Sequence, residues 1–193
     1  MSFYNLTIGF KCCKIGLIGG YLMYHSENSE LANVIKDFHL PKYTEIPNVG
    51  LYLEQTAKYI SEALSPLFKN AITGSMISNY VKKGLVSNPV KKQYNREQIA
   101  YLIFIALVKN VLSMEDIKTV INVQKESYEV VVAYNYFAEE FERLISYVSS
   151  ESELGEESDS NNSDEKRMLR NIIITVAHKI YLEKYFSFIG EKN

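Results

Sequence analysis

Ala100 to Val108 is an unbroken apolar run, extended back by Ile99, stopped by Lys109 and led in by Asn95-Arg96-Glu97-Gln98. A stretch that is apolar on every face must be enclosed by other elements, and this one is far short of the roughly 20 apolar residues that cross a bilayer. The run therefore predicts a core helix over residues 96–111, capped by Asn95, with Ile99, Leu102, Ile103, Ile105, Ala106 and Val111 buried.

The other apolar patterns are also helical. Leu31, Val34, Ile35 and Phe38 keep helical spacing over residues 29–38, before Leu40-Pro41. Residues 49–63 carry a face of Leu51, Leu53, Thr56, Ala57 and Ile60, closed by Leu64 and Pro66. Residues 73–83 read as a helix with Thr73 as N-cap, Gly84 as stop, and Met76, Ile77, Tyr80 and Val81 inside. Ser113 caps the next helix, with Glu115 and Asp116 in its first turn and Ile117, Val120 and Ile121 buried.

Over residues 126–148 a longer helix shows Val131, Tyr134, Ala138, Phe141, Ile145 and Val148 at alternating three-and-four spacing, a heptad seam that has to face something. That partner is either the rest of the monomer or a second copy. Residues 149–165 are acidic and polar around a single leucine, Leu154, which predicts a solvated flexible linker. The segment 166–193 holds a last helix over residues 166–188, with Leu169, Ile172, Ile173, Val176, Ile180 and Tyr181 on one side, expected to fold back on the body. The fold class expected is all-α, with at most a minimal hairpin near residues 86–94.

The N-terminal residues 1–22 stand apart. Lys11 and Lys14 precede a short apolar run, but no small-residue cleavage pattern follows, so a signal peptide is not indicated. Gly19-Gly20-Tyr21-Leu22-Met23 can be encoded by GGAGG, a spacer and ATG, the layout of a bacterial ribosome-binding site. The expectation is that translation starts naturally at Met23 and that residues 1–22 are a non-native or disordered extension. Cys12 and Cys13 are the only cysteines, too close in sequence for an easy mutual disulfide, which suits a reducing, cytoplasmic compartment. His25, His39 and His178 stand alone in the sequence, so neither a metal site nor a cofactor is expected.

Charge is unevenly spread. The formal net charge is -2, yet between Lys69 and Arg96 there are six basic residues and no Asp or Glu. Clearing acids from one segment of a slightly acidic chain is the footprint of a phosphate-binding face. Helix, glycine, basic turn and helix follow one another here, the outline of a winged helix-turn-helix over residues 23–125. In such a unit Thr73, Ser75, Ser78 and Asn79 lie near base edges or phosphates, with Ser75 and Asn79 foremost for base contact. Lys82, Lys83, Lys91 and Lys92 hold phosphates, and Tyr80, Tyr94 and Arg96 complete the candidate surface.

Tyr80-Val81-Lys82-Lys83-Gly84-Leu85-Val86, Tyr94 before Arg96-Glu97, and Leu112-Ser113-Met114-Glu115-Asp116-Ile117 resemble the DNA-binding domain of MerR-type regulators. That resemblance implies a recognition helix ending in a glycine-leucine turn and a wing ending near a tyrosine. Ser78 stands where that family usually has arginine, and the wing is short and lacks the usual glycine. Leu40-Pro41-Lys42-Tyr43, Leu51-Tyr52-Leu53-Glu54-Gln55, Met76-Ile77-Ser78-Asn79-Tyr80-Val81-Lys82 and Pro89-Val90-Lys91-Lys92-Gln93-Tyr94 resemble a bacterial family catalogued as domain of unknown function 1836. This second resemblance spans roughly residues 30–125 and implies a fold more than a task.

Glu115 with Asp116 and Glu139 with Glu140 are the nearest approach to acid/base pairs, but they fall at a helix start or on a solvated face. Without a nucleophile, base and orienting group, the chain is not expected to be an enzyme. The reading is a cytoplasmic transcriptional regulator that binds double-stranded DNA as a homodimer through Val131, Tyr134, Ala138, Phe141 and Ile145, with no membrane partner and no assigned small-molecule effector. The alternative is a non-catalytic helical module that binds a protein partner on the same scaffold.

Overall fold

The computed structural model describes residues 15–18, 21–24, 38–149 and 163–191. Two compact units divide the chain, residues 1–30 and 31–193. In the first, β1 (Ile15–Ile18) pairs antiparallel with β2 (Tyr21–Tyr24), Ile18 opposite Tyr21 and Ile15 opposite Tyr24. Residues 1–22 were expected to be a non-native or disordered extension; the β-branched and aromatic content of the two paired segments favours a hairpin, and Met23 falls inside β2. The helix expected over residues 29–38 lies outside the described residues, except for Phe38, which is buried and not helical.

The second unit is mostly helical. Its elements are a 3-10 turn Tyr43–Glu45, β3 (Leu51–Tyr52), α1 (Leu53–Ala63), α2 (Gly74–Lys82), β4 (Gln93–Tyr94), α3 (Arg96–Val108), α4 (Met114–Ser127), α5 (Val130–Ser149) and α6 (Asp164–Glu191). At the centre lies α3, buried at every residue from Gln98 to Val108, as its all-round apolarity demands. The Phe104 ring meets Phe137 of α5 edge-on at 5.2 Å, and the Tyr101 hydroxyl donates to Gln124 of α4 at 2.8 Å.

Several boundaries differ from the sequence reading, each for a local reason. Residues 49–52 are not the first turn of α1. Leu51 and Tyr52 pair with Tyr94 and Gln93, and the Gln55 side chain accepts from the Tyr52 N–H at 2.9 Å to start the helix there. Glycine at position 50 permits this pairing, because a Cβ there would stand 2.8 Å from Gln93 Cβ. The predicted helix over 126–148 begins later, since Tyr128 is extended (φ -147°) and ends α4 two residues before α5 starts. α3 stops at Val108, where Lys109 caps it and turns its ammonium back to the Ala71 carbonyl. α6 begins at Asp164 and ends at Glu191, longer at both ends than the pattern indicated.

The heptad seam of α5 is covered from within the chain. Tyr134, Ala138, Phe141 and Ile145 are buried, while Val131 is 38% exposed. The expected dimer contact is corrected accordingly: these side chains meet α6, the core rings and Phe38, whose ring lies edge-on to Phe141 at 5.9 Å. α5 and α6 run parallel, because the Lys166 ammonium lies over the Tyr136 ring (5.3 Å) and, one turn further along both helices, Arg170 meets Glu140 (3.3 Å). Glu140 also accepts two bonds from Arg143, at 2.6 and 2.8 Å. It is only 8% exposed, so the sequence-based placing of Glu140 on a solvated face is overturned. Glu139 does face solvent, 3.8 Å from Lys42.

His39 does not stand alone either. Its ring nitrogens lie 3.0 Å from Glu45 and 2.9 Å from Glu142, and Glu142 also accepts from the Leu40 N–H at 2.7 Å. Together with the bond from the Tyr43 N–H to Asn135 Oδ1 (2.9 Å), this fastens residues 39–45 to α5.

Burial of phenols sets an alkaline limit to stability. Burial pushes the Tyr101 hydroxyl up to about 12, and raises Tyr80, Tyr94 and, further still, Tyr134. A phenol whose folded pKa exceeds its unfolded value of about 10 contributes stability that is complete below about pH 10 and is lost as pH rises through the folded pKa. Lys109, lowered by burial, acts in the opposite sense, since the unfolded state binds the extra proton. Tyr43 and Tyr59 are raised as well, so with six tyrosines against one lysine, helical circular dichroism should hold level to about pH 10 and collapse toward about 12, together with the rise of phenolate absorbance. Phenolate absorbance that rises fully while the helix signal stays intact would contradict this.

Candidate nucleic-acid interface

α2 forms where the sequence marks it. The Thr73 hydroxyl accepts from the Met76 N–H at 3.3 Å. At the other end Gly84 (φ +74°) completes a two-bond stop: its N–H reaches the Val81 carbonyl (2.9 Å) and the Leu85 N–H reaches Tyr80 (3.0 Å). Between these caps the helix is split cleanly. Gly74, Ile77 and Tyr80 are buried, while Ser75, Ser78, Asn79 and Lys82 are exposed at i, i+3, i+4 and i+7, one continuous stripe. The Ser78 hydroxyl donates to the Gly74 carbonyl at 3.0 Å, and Ser75 bonds Thr73 at 2.9 Å, so both present acceptor lone pairs outward.

The connection from α1 to α2, residues 64–73, is longer than the 3–4 residues of an ordinary helix-turn-helix. It is nonetheless fixed. Leu64, Leu67, Ala71 and Ile72 are buried, the Ser61 hydroxyl donates to the Ile72 carbonyl (3.2 Å), and Lys109 holds Ala71. Glu54 of α1 lies against the first turn of α2, its Oε1 2.5 Å from where a Cβ on Gly74 would sit. A carboxylate there complements the positive N-terminal pole of the α2 dipole, as Lys82 in the last turn complements the negative C-terminal pole.

After α2 the chain makes a small hairpin. Val90 bridges Gln93, whose N–H reaches the Val90 carbonyl at 2.9 Å, and Lys91 (φ +50°) and Lys92 (φ +64°) occupy the two tip positions. Two consecutive positive φ angles define the mirror-image turn that normally requires Asn-Gly. Two lysines there are a strained choice, and strain at a surface tip points to a use for the side chains. Gln98 steadies the root of the hairpin: its amide nitrogen donates to Ser87 (2.8 Å to the carbonyl, 3.1 Å to the hydroxyl) and to the Asn88 carbonyl (3.2 Å). Sequence reading passed over Gln98, although Asn95-x-x-Gln98 is a capping-box spacing, and both reciprocal bonds are present at 2.9 Å.

The candidate residues therefore separate into two groups. Thr73, Ser75, Ser78, Asn79, Lys82, Lys83, Lys91 and Lys92 are all exposed. Tyr80 and Tyr94 are 3% and 4% exposed; they pack the inner faces of α2 and β4 and are withdrawn as contact residues. Arg96 is withdrawn as well, because its guanidinium donates to the Ile46 carbonyl (2.7 Å) and the Thr44 carbonyl (3.3 Å) and lies over the Tyr43 ring at 5.7 Å. One cation was missed. Lys118 of α4 is exposed and brings its ammonium within 4.0 Å of where a Cβ on Gly84 would sit, beside the turn that follows Lys82 and Lys83. It lies beyond the acid-free segment, so no local pattern in the sequence marked it.

Among the described residues, Lys82, Lys83, Lys91, Lys92 and Lys118 have no carboxylate at ion-pair distance, whereas Lys58 and Lys179 each meet a glutamate one turn on. An unpaired ammonium on an exposed turn is free to meet an anion. Replacing Lys91 by Asn and Lys92 by Gly should relieve the left-handed strain and raise stability by about 1–2 kcal/mol. An unchanged or lower urea midpoint would count against the strain.

Fold and surface together define a mostly helical domain presenting a polar helix stripe that ends in lysine, and a lysine-tipped turn, both from a segment without Asp or Glu. The family model described as Domain of unknown function (DUF1836) matches residues 41–137, half of the chain, and the protein belongs to that family. Comparison with curated proteins and with solved structures returned no match. The matched span runs from the segment before the 3-10 turn into α5, so it contains the whole charged surface and excludes α6. No described helix is long and apolar enough to cross a membrane.

Proposed function

We propose that the protein is a non-catalytic DNA-binding regulator whose α1, α2 and Val90–Gln93 hairpin, its second arm paired as β4 with β3, act as a MerR-like winged helix-turn-helix. The observation that carries this reading is the coincidence of an unpaired lysine cluster with a strained hairpin tip and a polar helix stripe free of acids. On it, α2 enters the major groove, Ser75 and Asn79 reach base edges, and Lys82, Lys83 and Lys118 grip phosphates on one side. Lys91 and Lys92 do so at the wing. Lysines hold phosphates as point charges, and α2 brings no arginine for bidentate guanine contact, so sequence preference is modest and in part read through DNA shape.

The test is a salt titration on mixed-sequence duplex DNA. Log affinity should fall linearly with log salt at about -0.9 per phosphate neutralised, giving a slope of about -4 for four to five lysine contacts. A slope near zero, or no binding at low salt, rejects the reading.

Val49, Tyr52 and Val90 favour a second reading, binding of a protein partner beside the hairpin. All three are exposed, and Tyr52 and Val90 are both neighbours of Gln93 in the sheet. Such an interaction would persist at high salt.

A further inference from the structure

Between α3, α4, α5 and α6 lies a cavity of about 250 Å³, walled by Ala100 and Phe104, Gln124, Ala133 and Phe137, and Met168. It is a half-open pocket in a core that is otherwise densely packed. Two of its walls are alanines, at positions where a larger apolar side chain would close the space. Nothing in the proposed DNA contact uses it. Its walls are chiefly rings and aliphatic groups, with the opposite charges of Glu165 and Lys166 side by side on one edge, and Phe104 and Phe137 are set edge to face at an interplanar angle of 79°. Such a surface accepts another flat ring by edge and face contacts, and disfavours any charge stripped of water.

Among the polar residues on the lining, Gln124 is the one whose amide is held in a fixed orientation. Gln124 accepts from the Tyr101 hydroxyl (2.8 Å) and donates to the Tyr128 carbonyl (2.8 Å), which fixes the orientation of its amide. A primary amide has two N–H groups and two acceptor lone pairs, so one of each is left for a ligand.

We propose that this cavity is a binding site for a small, neutral, planar aromatic compound of one or two rings carrying one hydroxyl or ring N–H, which bonds to Gln124. The site does not depend on the DNA reading, although α3 and α4 also carry the hairpin-steadying Gln98 and the phosphate-facing Lys118, so occupancy is placed to alter that surface.

The experiment uses the full chain without DNA and titrates 2-naphthol, with naphthalene as the control lacking the hydroxyl. The chain has no Trp, which leaves naphthol fluorescence unobscured. Expected are saturable binding of one 2-naphthol per chain, at least tenfold weaker binding by Ala133→Phe, which fills the cavity, and a tenfold smaller preference for 2-naphthol over naphthalene in Gln124→Leu. Absence of saturable binding overturns the proposal, the space then being filled by the chain itself. Equal binding by the Ala133→Phe variant, or an unchanged preference in Gln124→Leu, overturns it equally. Because no DNA is present, neither outcome bears on the salt titration, and a failed salt titration leaves the cavity result standing.

Discussion

Replacing Lys82 and Lys83 together by glutamate should weaken binding to mixed-sequence duplex DNA by at least about 100-fold at low salt. A hydrogen bond to a charged group contributes about 1.5–3 kcal/mol, and two lost contacts of that size correspond to a factor of about 100 or more. The salt slope should flatten by about 0.9 for each phosphate contact removed. Stability should move little, within about 0.5 kcal/mol, because both side chains are exposed and neither has an ion-pair partner among the described residues. That separation of effects gives the test its force. A variant that is equally stable and binds duplex DNA as tightly as the parent would show that the stripe ending at Gly84 is an ordinary solvated face.

The second large effect is on stability. Glu140→Ala should cost about 3 kcal/mol or more, because it removes a buried carboxylate that meets both Arg143 and Arg170 and ties α6 to α5. The loss should be local at first. α6 is held to α5 by this cluster and by the apolar contacts of Ile173, Val176, Ala177 and Ile180, whereas α3 is enclosed by several elements. Hydrogen exchange in the variant should therefore speed up in α6 before it does so in α3. Uniform acceleration, or an unchanged denaturation midpoint, would contradict this assignment of the cluster. DNA affinity should survive in Glu140→Ala, since the charged surface lies in residues outside α5 and α6.

Where structure was local, the sequence displayed it. Thr73, Asn95 and Ser113 cap the helices they were assigned, Gly84 ends α2, and the all-apolar run forms the central helix, because caps and periodicity act within a turn or two of chain. What stayed hidden was set by distant partners. Leu51 and Tyr52 become a strand only because Gln93 and Tyr94 come to lie beside them. Arg96 belongs to a basic segment by sequence and to the carbonyls of Thr44 and Ile46 by contact. The α5 seam looked like a coiled-coil edge because heptad spacing describes any helix with one covered face, and it says nothing of which chain supplies the cover. Lys118 enters the charged surface from α4, a whole helix later in the chain, beyond the reach of any local pattern.

The paired positive φ angles at Lys91 and Lys92 also have an evolutionary reading. A chain selected for folding alone would drift to Asn-Gly at this tip, since two substitutions there remove a standing penalty and disturb no packing. If the proposed DNA contact is what keeps the two lysines at the tip, family members without that contact should carry relaxed tips while retaining the glycine at position 84, which the helix needs whatever the surface does. Divergence between those two positions, one following ligand and the other following fold, would date the loss of the task without any binding measurement.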